Sequence, residues 1–240
     1  MTLHLRVQRG SVARDVLVCG DPARVDVLSE LLEEARVVST HRGFKVVSGL
    51  YRGRSVSVAS HGIGGPSAAI VFEELRQAGA ERIVRLGTAG GLRPGVSVGS
   101  VVVATGAGYL HGGCALGQYA PGFCLPASPD VALTARIMES LKRHEVGFVE
   151  GAVFTSDAFY TESRELAEKL SSLGFVAIEM ETATLFALGR LRGFKTASVL
   201  VVCNVLYGEE AGKVFLTTEE LAGVFMRVGR AVLDALAESE

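Results

Sequence analysis

At residues 82–91 the chain reads RIVRLGTAGG, a short apolar run followed by five small residues. The run at 82–86 has the length and character of a buried strand, and we predict that 87–91 form a loop at its end. Such a loop exposes backbone N–H groups that can converge on an anion. Arg85 lies within the apolar run, where a guanidinium is costly to bury without an anionic partner. The stretch therefore predicts a central strand with an anion site at its carboxyl end.

The rest of the chain continues this alternation of short Val-, Ile- and Ala-rich runs with helical patterns. We predict further strands at residues 16–19, 37–48, 55–59, 98–105, 151–155, 176–179 and 197–202. We predict helices at residues 22–35, 67–78, 131–144, 164–173, 181–192 and 218–237, the second of them capped by Ser67. Residues 106–129 are rich in Gly and Pro and are predicted as a long loop. This order is typical of an α/β protein whose sheet is mostly covered by helices.

Length and composition favour one domain spanning residues 1–240. The chain is 48% hydrophobic, which is enough for one large core. No apolar run reaches the roughly eighteen residues that a membrane span requires, and residues 1–10 are too polar for a signal peptide, so we expect a cytoplasmic protein. The formal net charge of −2 argues against a nucleic-acid-binding surface.

The four cysteines are widely spaced in the sequence. Cys19, Cys114, Cys124 and Cys203 form neither a CxxC pair nor a zinc pattern, so no metal site is predicted. Buried thiols are the simplest expectation, and a disulfide between Cys114 and Cys124 is the alternative.

Two further motifs accompany the glycine run. Residues 20–24 read GDPAR and place an arginine beside another small-residue turn, while residues 179–181 read EME. Two carboxylates separated by one residue suit the vicinal hydroxyls of a sugar, which need acceptors held close together. Neither motif is decisive alone. Together with Arg85 they predict an enzyme that brings inorganic phosphate to a nucleoside.

Five motifs, in this order along the chain, resemble those of the nucleoside phosphorylase-I family. They are GDPAR at 20–24, GIGGPS at 62–67, RLGTAG at 85–90, SDAFY at 156–160 and EME at 179–181. The resemblance covers nearly the whole chain and is greatest to hexameric purine nucleoside phosphorylases and archaeal methylthioadenosine phosphorylases. It implies a single three-layer α/β/α domain whose twisted mixed sheet partly closes into a barrel.

The resemblance also implies a role for each matching residue. Phosphate would be bound by Gly20, Arg24, Arg85, Thr88 and, from a neighbouring subunit, Arg42. Ribose would contact Glu179, Met180, Glu181 and the neighbour's His4, and Phe159 would stack on the base. Because Arg42 and His4 would cross into the site of a neighbouring subunit, the resemblance implies a homodimer. Three such dimers would form a hexamer. Without the resemblance, His4 is more simply a solvated side chain, whereas a core position and base stacking explain Phe159 equally well.

Asn204 is the residue that bears most on the choice of base. Adenosine-cleaving hexameric members usually carry Ser-Asp where this chain has Cys203 and Asn204, and the aspartic acid protonates purine N7. An amide cannot transfer that proton, but its NH2 group can donate a hydrogen bond to N7, and its flank suits a 6-oxopurine. We therefore predict that guanosine and inosine are favoured over adenosine, with Asn204, Arg85 and Glu181 as the catalytic residues. A purely structural role for Asn204 in its loop is the alternative.

Other activities of the same fold remain open at this stage. Uridine phosphorylases also carry an Asn near position 204, but they read uracil with a Gln-x-Arg for which residues 161–164 offer only the arginine. Methylthioadenosine phosphorolysis and nucleoside binding without catalysis are further alternatives, while Arg24, Arg42 and Arg85 argue against simple hydrolysis. A dinucleotide-binding protein built on the glycines of 62–65 is disfavoured because no acidic ribose ligand follows. Inorganic phosphate is the expected co-substrate, with no cofactor.

Overall fold

A computed structural model describes residues 1–208, 211–212 and 214–238, with residue 218 described by its backbone only. In these residues the strands are β1 (Asp15–Cys19), β2 (Glu33–Ser39), β3 (Val46–Tyr51), β4 (Arg54–Ser60), β5 (Arg82–Gly91), β6 (Val101–Tyr109), β7 (Phe148–Thr155), β8 (Ala177–Glu179) and β9 (Lys195–Val205). The helices are α1 (Pro22–Ser29), α2 (Gly65–Ala78), α3 (Leu116–Tyr119), α4 (Val131–Arg143), α5 (Arg164–Ser172), α6 (Thr182–Arg192) and α7 (Thr218–Ala237).

The strands form one mixed sheet that partly closes on itself. Their order is β2-β3-β4-β1-β5-β8-β7-β6-β9, and β5 also pairs with β9, so that five strands form a closed ring. Strand β1 is parallel to both β4 and β5, whereas β3 is antiparallel to β2 and β4. The expected three-layer fold with a partial barrel is confirmed.

Helices cover the two faces of the sheet. On one face, α2 and α6 pack together and bury Phe72, Leu75 and Phe186 against the strands. On the other face, α7 packs on α1 and α4 and buries Leu221 and Phe225. Each fully buried side chain of this size stabilises the fold by about 1.5–3 kcal/mol. The sheet is thereby held rigidly enough to position the side chains at the ends of its strands.

Two predictions near the first helix are wrong. Helix α1 ends at Ser29, not near 35, and residues 33–39 form β2 although EEARVVS looks helical. The strand predicted at 37–48 is two strands, β2 and β3, separated by a short 3-10 turn at His41–Gly43. Because β2 is an edge strand that is mostly exposed, its residues do not show apolar alternation, and pairing with β3 decides its structure.

The glycine-rich segments also differ from their predictions. Residues 87–91 do not form a loop but extend β5, which pairs with β9 there, because the barrel continues beyond the apolar run. The predicted loop at 106–129 contains the end of β6 and the short helix α3. Ser67 does not cap α2, since the residue before the helix is Gly64 and the Ser67 hydroxyl donates to the carbonyl of His61 at 2.7 Å.

All four cysteines are free thiols, three of them buried and Cys124 exposed, so the alternative of a disulfide is excluded. Within the described ranges, no helix is both long and apolar enough to cross a membrane.

Candidate active site

A cavity of about 830 Å³ opens where β1, β5 and β8 end. Of the predicted phosphate-binding residues, those that line it are Gly20, Arg24, Arg85 and Thr88. Of the predicted ribose and base ligands, those that line it are Glu179, Met180, Glu181, Phe159 and Asn204. The structure therefore brings together nine residues from distant parts of the sequence. His4 and Arg42 do not line this cavity.

The turns after β1 and β4 are held against each other by their backbones. His61 N–H donates to the carbonyl of Cys19 at 2.9 Å, and Gly62 N–H donates to the carbonyl of Gly20 at 3.1 Å. A Cβ atom on Gly20 would lie only 3.3 Å from the Gly62 carbonyl oxygen, so a side chain there would crowd this junction. Parallel pairing of the two strands therefore fixes the position of both turns at one end of the cavity.

Arg85 is buried in the wall of the cavity. Its side chain folds back over Gly87, where a Cβ atom would overlap the guanidinium. The guanidinium is hydrogen-bonded to Glu181 and lies 3.4 Å from Glu179. Burial tends to lower the pKa of Arg85, but the carboxylates of Glu181 and Glu179 together have the greater effect. The pKa of Arg85 is therefore raised. Arg85 is therefore a fixed cation.

The two glutamates of the EME motif have different surroundings. Glu179 Oε2 accepts from the backbone N–H groups of Glu181 and Thr182, at 2.9 and 2.8 Å, and Oε1 accepts from the Thr155 hydroxyl at 2.5 Å. Glu179 thus binds the N-terminus of α6, and burial raises its pKa. Glu181 instead accepts from Gly64 N–H at 2.6 Å and pairs with Arg85. Glu179 fixes the backbone of residues 181 and 182, and Glu181 is the carboxylate that lies against the Arg85 guanidinium.

Arg24 and Thr88 line the cavity together with Arg85, and we call these three residues the cationic end. Arg24 Nη1 donates to Thr88 Oγ1 at 3.3 Å, and its guanidinium carbon lies 4.9 Å from the centre of the Phe225 ring. Burial lowers the pKa of Arg24, which nevertheless remains an arginine with a very basic guanidinium. Its Nε is buried without a hydrogen-bond partner among the described residues.

Buried polar atoms without a partner are concentrated at this end. In the described part of the chain they are Arg24 Nε, Arg85 Nε, Arg85 Nη1 and His61 Nε2. Buried donors are normally satisfied, and leaving one unpaired costs about 1–3 kcal/mol. Two arginines with unsatisfied donors in one place are what an anion-binding site requires.

Aromatic side chains also line the cavity. Phe159 is 43% exposed, and its ring lies 6.4 Å from that of Phe215, nearly perpendicular to it. Tyr160 is 98% exposed. These rings are not core residues, and their position agrees with stacking on a flat heterocycle.

Asn204 and Glu162 are further polar residues that line the cavity. Asn204 lies in β9, and its Oδ1 is 3.5 Å from the thiol of Cys203. Glu162 also lines the cavity and lies near enough to Cys203 to affect the charge on that thiol. Burial raises the pKa of Glu162 to about 7. Sequence reasoning missed Glu162, although it stands three residues after Phe159.

His4 and Arg42 lie side by side on the surface. His4 Nδ1 is 2.9 Å from Glu74 Oε1, and His41 Nδ1 donates to the His4 carbonyl at 2.7 Å. Arg42 is exposed, in the turn that follows His41, with a positive φ of 57°. The two predicted crossing residues thus share one surface but not the cavity of their own chain.

Comparison with known proteins identifies the family. Residues 14–238 match the Phosphorylase superfamily, and the chain belongs to this family. It is 35% identical to the guanosine phosphorylase of Halorubrum lacusprofundi over 87% of this chain and 86% of that protein. It is 34% identical to the uridine phosphorylase of Thermococcus kodakarensis, over 89% and 80%. It is 31% identical to a DeoD-type purine nucleoside phosphorylase of Bacillus cereus, over 98% of each chain.

The predicted resemblance is thereby confirmed, and with it the prediction of an enzyme of the nucleoside phosphorylase type. Among the described residues, no group of three or more His, Cys, Asp or Glu side chains could hold a metal ion. The roles of the individual residues remain predictions.

Proposed function

We propose that this enzyme cleaves purine nucleosides by phosphorolysis, releasing the free base and ribose 1-phosphate, and that it favours guanosine and inosine. The observation that carries this proposal is the mixture of side chains in one cavity. Two arginines with unsatisfied donors line it together with aromatic rings, an amide and a carboxyl group. In this proposal phosphate binds at the cationic end, and the base binds at the rings, which we call the base end; no cofactor is needed.

The cationic end binds phosphate in this proposal. Arg24 and Arg85 supply charge and directed N–H donors, and Thr88 adds a hydroxyl beside Arg24. Gly20 also lines the cavity, and the absence of a side chain there lets its turn pack against Gly62. These groups hold the phosphate nucleophile beneath C1′ of the ribose, so that most of the rate enhancement comes from positioning and electrostatics.

The ribose lies between the two ends. Glu181, fixed by Gly64 and Arg85, accepts from the sugar hydroxyls, and Met180 packs against the ring. Glu179 acts through the backbone of residues 181 and 182, which it holds at the start of α6. A phosphate oxygen bonds to C1′ while the C1′–N9 bond breaks, and the electron pair of that bond leaves with the purine.

The base end suits a 6-oxopurine. The Asn204 amide donates to N7 or O6 and so stabilises the negative charge that the leaving base acquires. Glu162, when ionised, accepts from the ring N1–H and, in guanine, from the 2-amino group. Adenine has an unprotonated N1, which a carboxylate repels. The carboxyl and the amide together therefore favour guanine and hypoxanthine over adenine.

Assembly completes the site in this proposal. Because His4 and Arg42 share one surface outside their own cavity, a second copy can present both to the neighbouring site. Arg42 then adds a third cation to the phosphate and His4 reaches the ribose 5′ end. We propose a cytoplasmic homo-oligomer built from such dimers, three of them in a hexamer.

The test is a panel of initial rates with inosine, guanosine, adenosine, methylthioadenosine and uridine, each with and without inorganic phosphate. Phosphate-dependent cleavage that favours the 6-oxopurines is expected. Because one of the relatives is a uridine phosphorylase, phosphate-dependent cleavage of uridine alone would keep the phosphate site and overturn the assignment of the base. Release of base without phosphate would overturn phosphorolysis itself.

A further inference from the structure

We propose that Asp157 is a positioning residue for nucleoside binding, which fixes the turn that carries Phe159 and Glu162. This inference deepens the proposed function and rests on it. Asp157 is exposed and is not among the residues that line the cavity, whereas Phe159 and Glu162 both line it. Asp157 therefore acts through its neighbours and not by touching the substrate.

The turn at residues 158–162 is held only by local hydrogen bonds of its own. It contains the short 3-10 helix Phe159–Thr161. The N–H groups of residues 161 and 162 donate to carbonyls three residues earlier, at 3.2 and 3.3 Å. In the described part of the chain, the other hydrogen bonds of this turn also stay within residues 156–162. The turn therefore depends on the residues beside it for its place in the cavity.

Asp157 joins this turn to a distant part of the chain. Its Oδ2 accepts from the backbone N–H of Cys114 at 2.8 Å. A Cβ atom on Gly113 would lie 2.8 Å from the same oxygen, so the carboxylate is in close contact with the backbone there. On the side of β7, the Ser156 N–H donates to the carbonyl of Glu179 at 2.7 Å. The chain that enters the 158–162 turn is thus fixed on both sides.

The partner of Asp157 is itself firmly anchored. Cys114 is 1% exposed, and Cys114 and Ala115 both have a positive φ, of 57° and 64°, which non-glycine residues adopt only where their surroundings fix it. Thr184 of α6 donates its hydroxyl to the Cys114 carbonyl at 3.1 Å. Gly65, the first residue of α2, packs so closely that a Cβ atom there would lie 2.7 Å from Cys114 Cα. Helices α2 and α6 therefore hold residue 114 in place.

The same two helices hold the carboxylate proposed for the ribose. Glu181 directly precedes α6 and accepts at 2.6 Å from the N–H of Gly64, which directly precedes α2. Asp157 thus ties the 158–162 turn to the structure that positions Glu181. Because the glycosidic bond sets the distance between ribose and base, Phe159 and Glu162 must keep their place relative to Glu181 for both halves of a nucleoside to be bound. Phosphate binding does not depend on this connection.

The experiment measures initial rates on the intact protein, with guanosine and phosphate varied separately. Asp157→Ala removes the acceptor, whereas Asp157→Asn keeps an oxygen that can accept from the Cys114 N–H. We expect KM for guanosine to rise about tenfold in Asp157→Ala and KM for phosphate to stay within about twofold. In Asp157→Asn both values should stay within about threefold of wild type. Because Asp157 is exposed, both variants should fold.

Asp130→Ala is the matched control. The Asp130 carboxylate also accepts from a backbone N–H, that of Leu133 at 2.8 Å at the start of α4, but Asp130 does not line the cavity. Asp130→Ala should lower the melting temperature and leave both KM values unchanged. A rise of KM for guanosine as large as in Asp157→Ala would show a general effect of lost stability and would overturn the positioning role.

Two further measurements need no turnover. Hydrogen exchange followed by mass spectrometry should be about tenfold faster in residues 110–116 and 157–163 of Asp157→Ala, and unchanged in Asp157→Asn. Faster exchange with an unchanged KM for guanosine would overturn the role of Asp157 even if phosphorolysis is found. If no nucleoside is cleaved, calorimetry with guanosine decides. Weaker binding in Asp157→Ala would then support Asp157 and contradict the proposed function, whereas equal binding, or none in wild type, would overturn both.

Discussion

The two ends of the cavity are built differently. At the cationic end the side chains are buried: Arg85, on β5, is 3% exposed, and Glu181, which directly precedes α6, is 4% exposed, and the two are paired with each other. At the proposed base end Phe159 is 43% exposed and lies in a short 3-10 turn, and burial raises the pKa of Glu162. We therefore expect the proposed reaction to depend on buried side chains that the sheet and the start of α6 hold in place. We expect the choice of base to depend on less buried side chains in short turns, where substitutions change specificity without disturbing the fold.

The largest effect should follow from removing the buried arginine of the cationic end. Arg85→Ala removes the phosphate cation and leaves Glu179 and Glu181 as unpaired buried carboxylates. We expect kcat/KM to fall by about three to four orders of magnitude and the fold to be destabilised by about 3–5 kcal/mol. Steady-state kinetics and urea unfolding measure the two losses.

Arg82→Ala is the matched control for that variant. Arg82 lies on the same strand, β5, and is paired with Asp15 at the opposite end of the strand from the cavity. It should lose stability but keep kcat/KM. If both variants lost activity equally, the effect of Arg85 would be one of folding and not of phosphate binding.

A smaller effect is expected from exchanging the amide at the base end. Asn204→Asp introduces a carboxyl group that can protonate N7, as in adenosine-cleaving members of the family. The ratio of kcat/KM for guanosine to that for adenosine should fall by about 10- to 100-fold, while KM for phosphate stays within about twofold. An unchanged ratio would show that Asn204 does not contact the base.

Glu162→Gln should change both the rate and its pH dependence. Because the carboxylate is the acceptor for N1–H, wild-type kcat/KM for guanosine should rise as the pH increases through about 7, where Glu162 loses its proton. In Glu162→Gln this rise should disappear and guanosine cleavage should fall about tenfold above pH 8, with adenosine less affected.

The same raised pKa gives a prediction about stability. A carboxyl whose pKa is higher in the folded protein than in the unfolded chain favours folding while protonated, and its charge disfavours folding as the pH increases from about 4.5 to 7. Glu162→Gln should therefore melt at the same temperature as wild type near pH 4.5 and slightly higher at pH 8. A lower melting temperature at pH 8 would mean that Glu162 has a stabilising partner.

The smallest effect should follow from removing the hydroxyl of Thr88 at the cationic end. Thr88→Ala removes the hydroxyl that accepts from Arg24 at 3.3 Å. We expect KM for phosphate to rise about threefold and KM for the nucleoside to stay unchanged, since a neutral hydrogen bond contributes about 1 kcal/mol. An increase in both KM values would place Thr88 between the two substrates.

Sequence reasoning from local chemistry selected Arg85, which lines the cavity, and predicted that its buried charge needs an anionic partner. In the structure Glu179 and Glu181 are anionic partners of Arg85, and phosphate binding there stays a prediction. Sequence reasoning failed where tertiary pairing decides the outcome. The glycines at 87–91 continue β5 because β9 pairs with them, and EEARVVS forms β2 because β3 does.

Glu162 is the cavity residue that sequence reasoning missed. It is exceptional because packing buries its carboxyl group and raises its pKa. This burial cannot be read from the sequence alone. The spacing of Glu162 three residues after Phe159 was the one available signal, and it becomes informative only when both side chains are seen in one cavity.

The most direct test of the account is a competition experiment. Guanosine, adenosine and uridine at equal concentration are mixed with the enzyme and inorganic phosphate, and the three free bases and ribose 1-phosphate are followed together. The initial rates give the ratios of kcat/KM. The account predicts that guanine is released first and that ribose 1-phosphate forms in equal amount. Faster release of adenine or uracil, or release of guanine without phosphate, would contradict it.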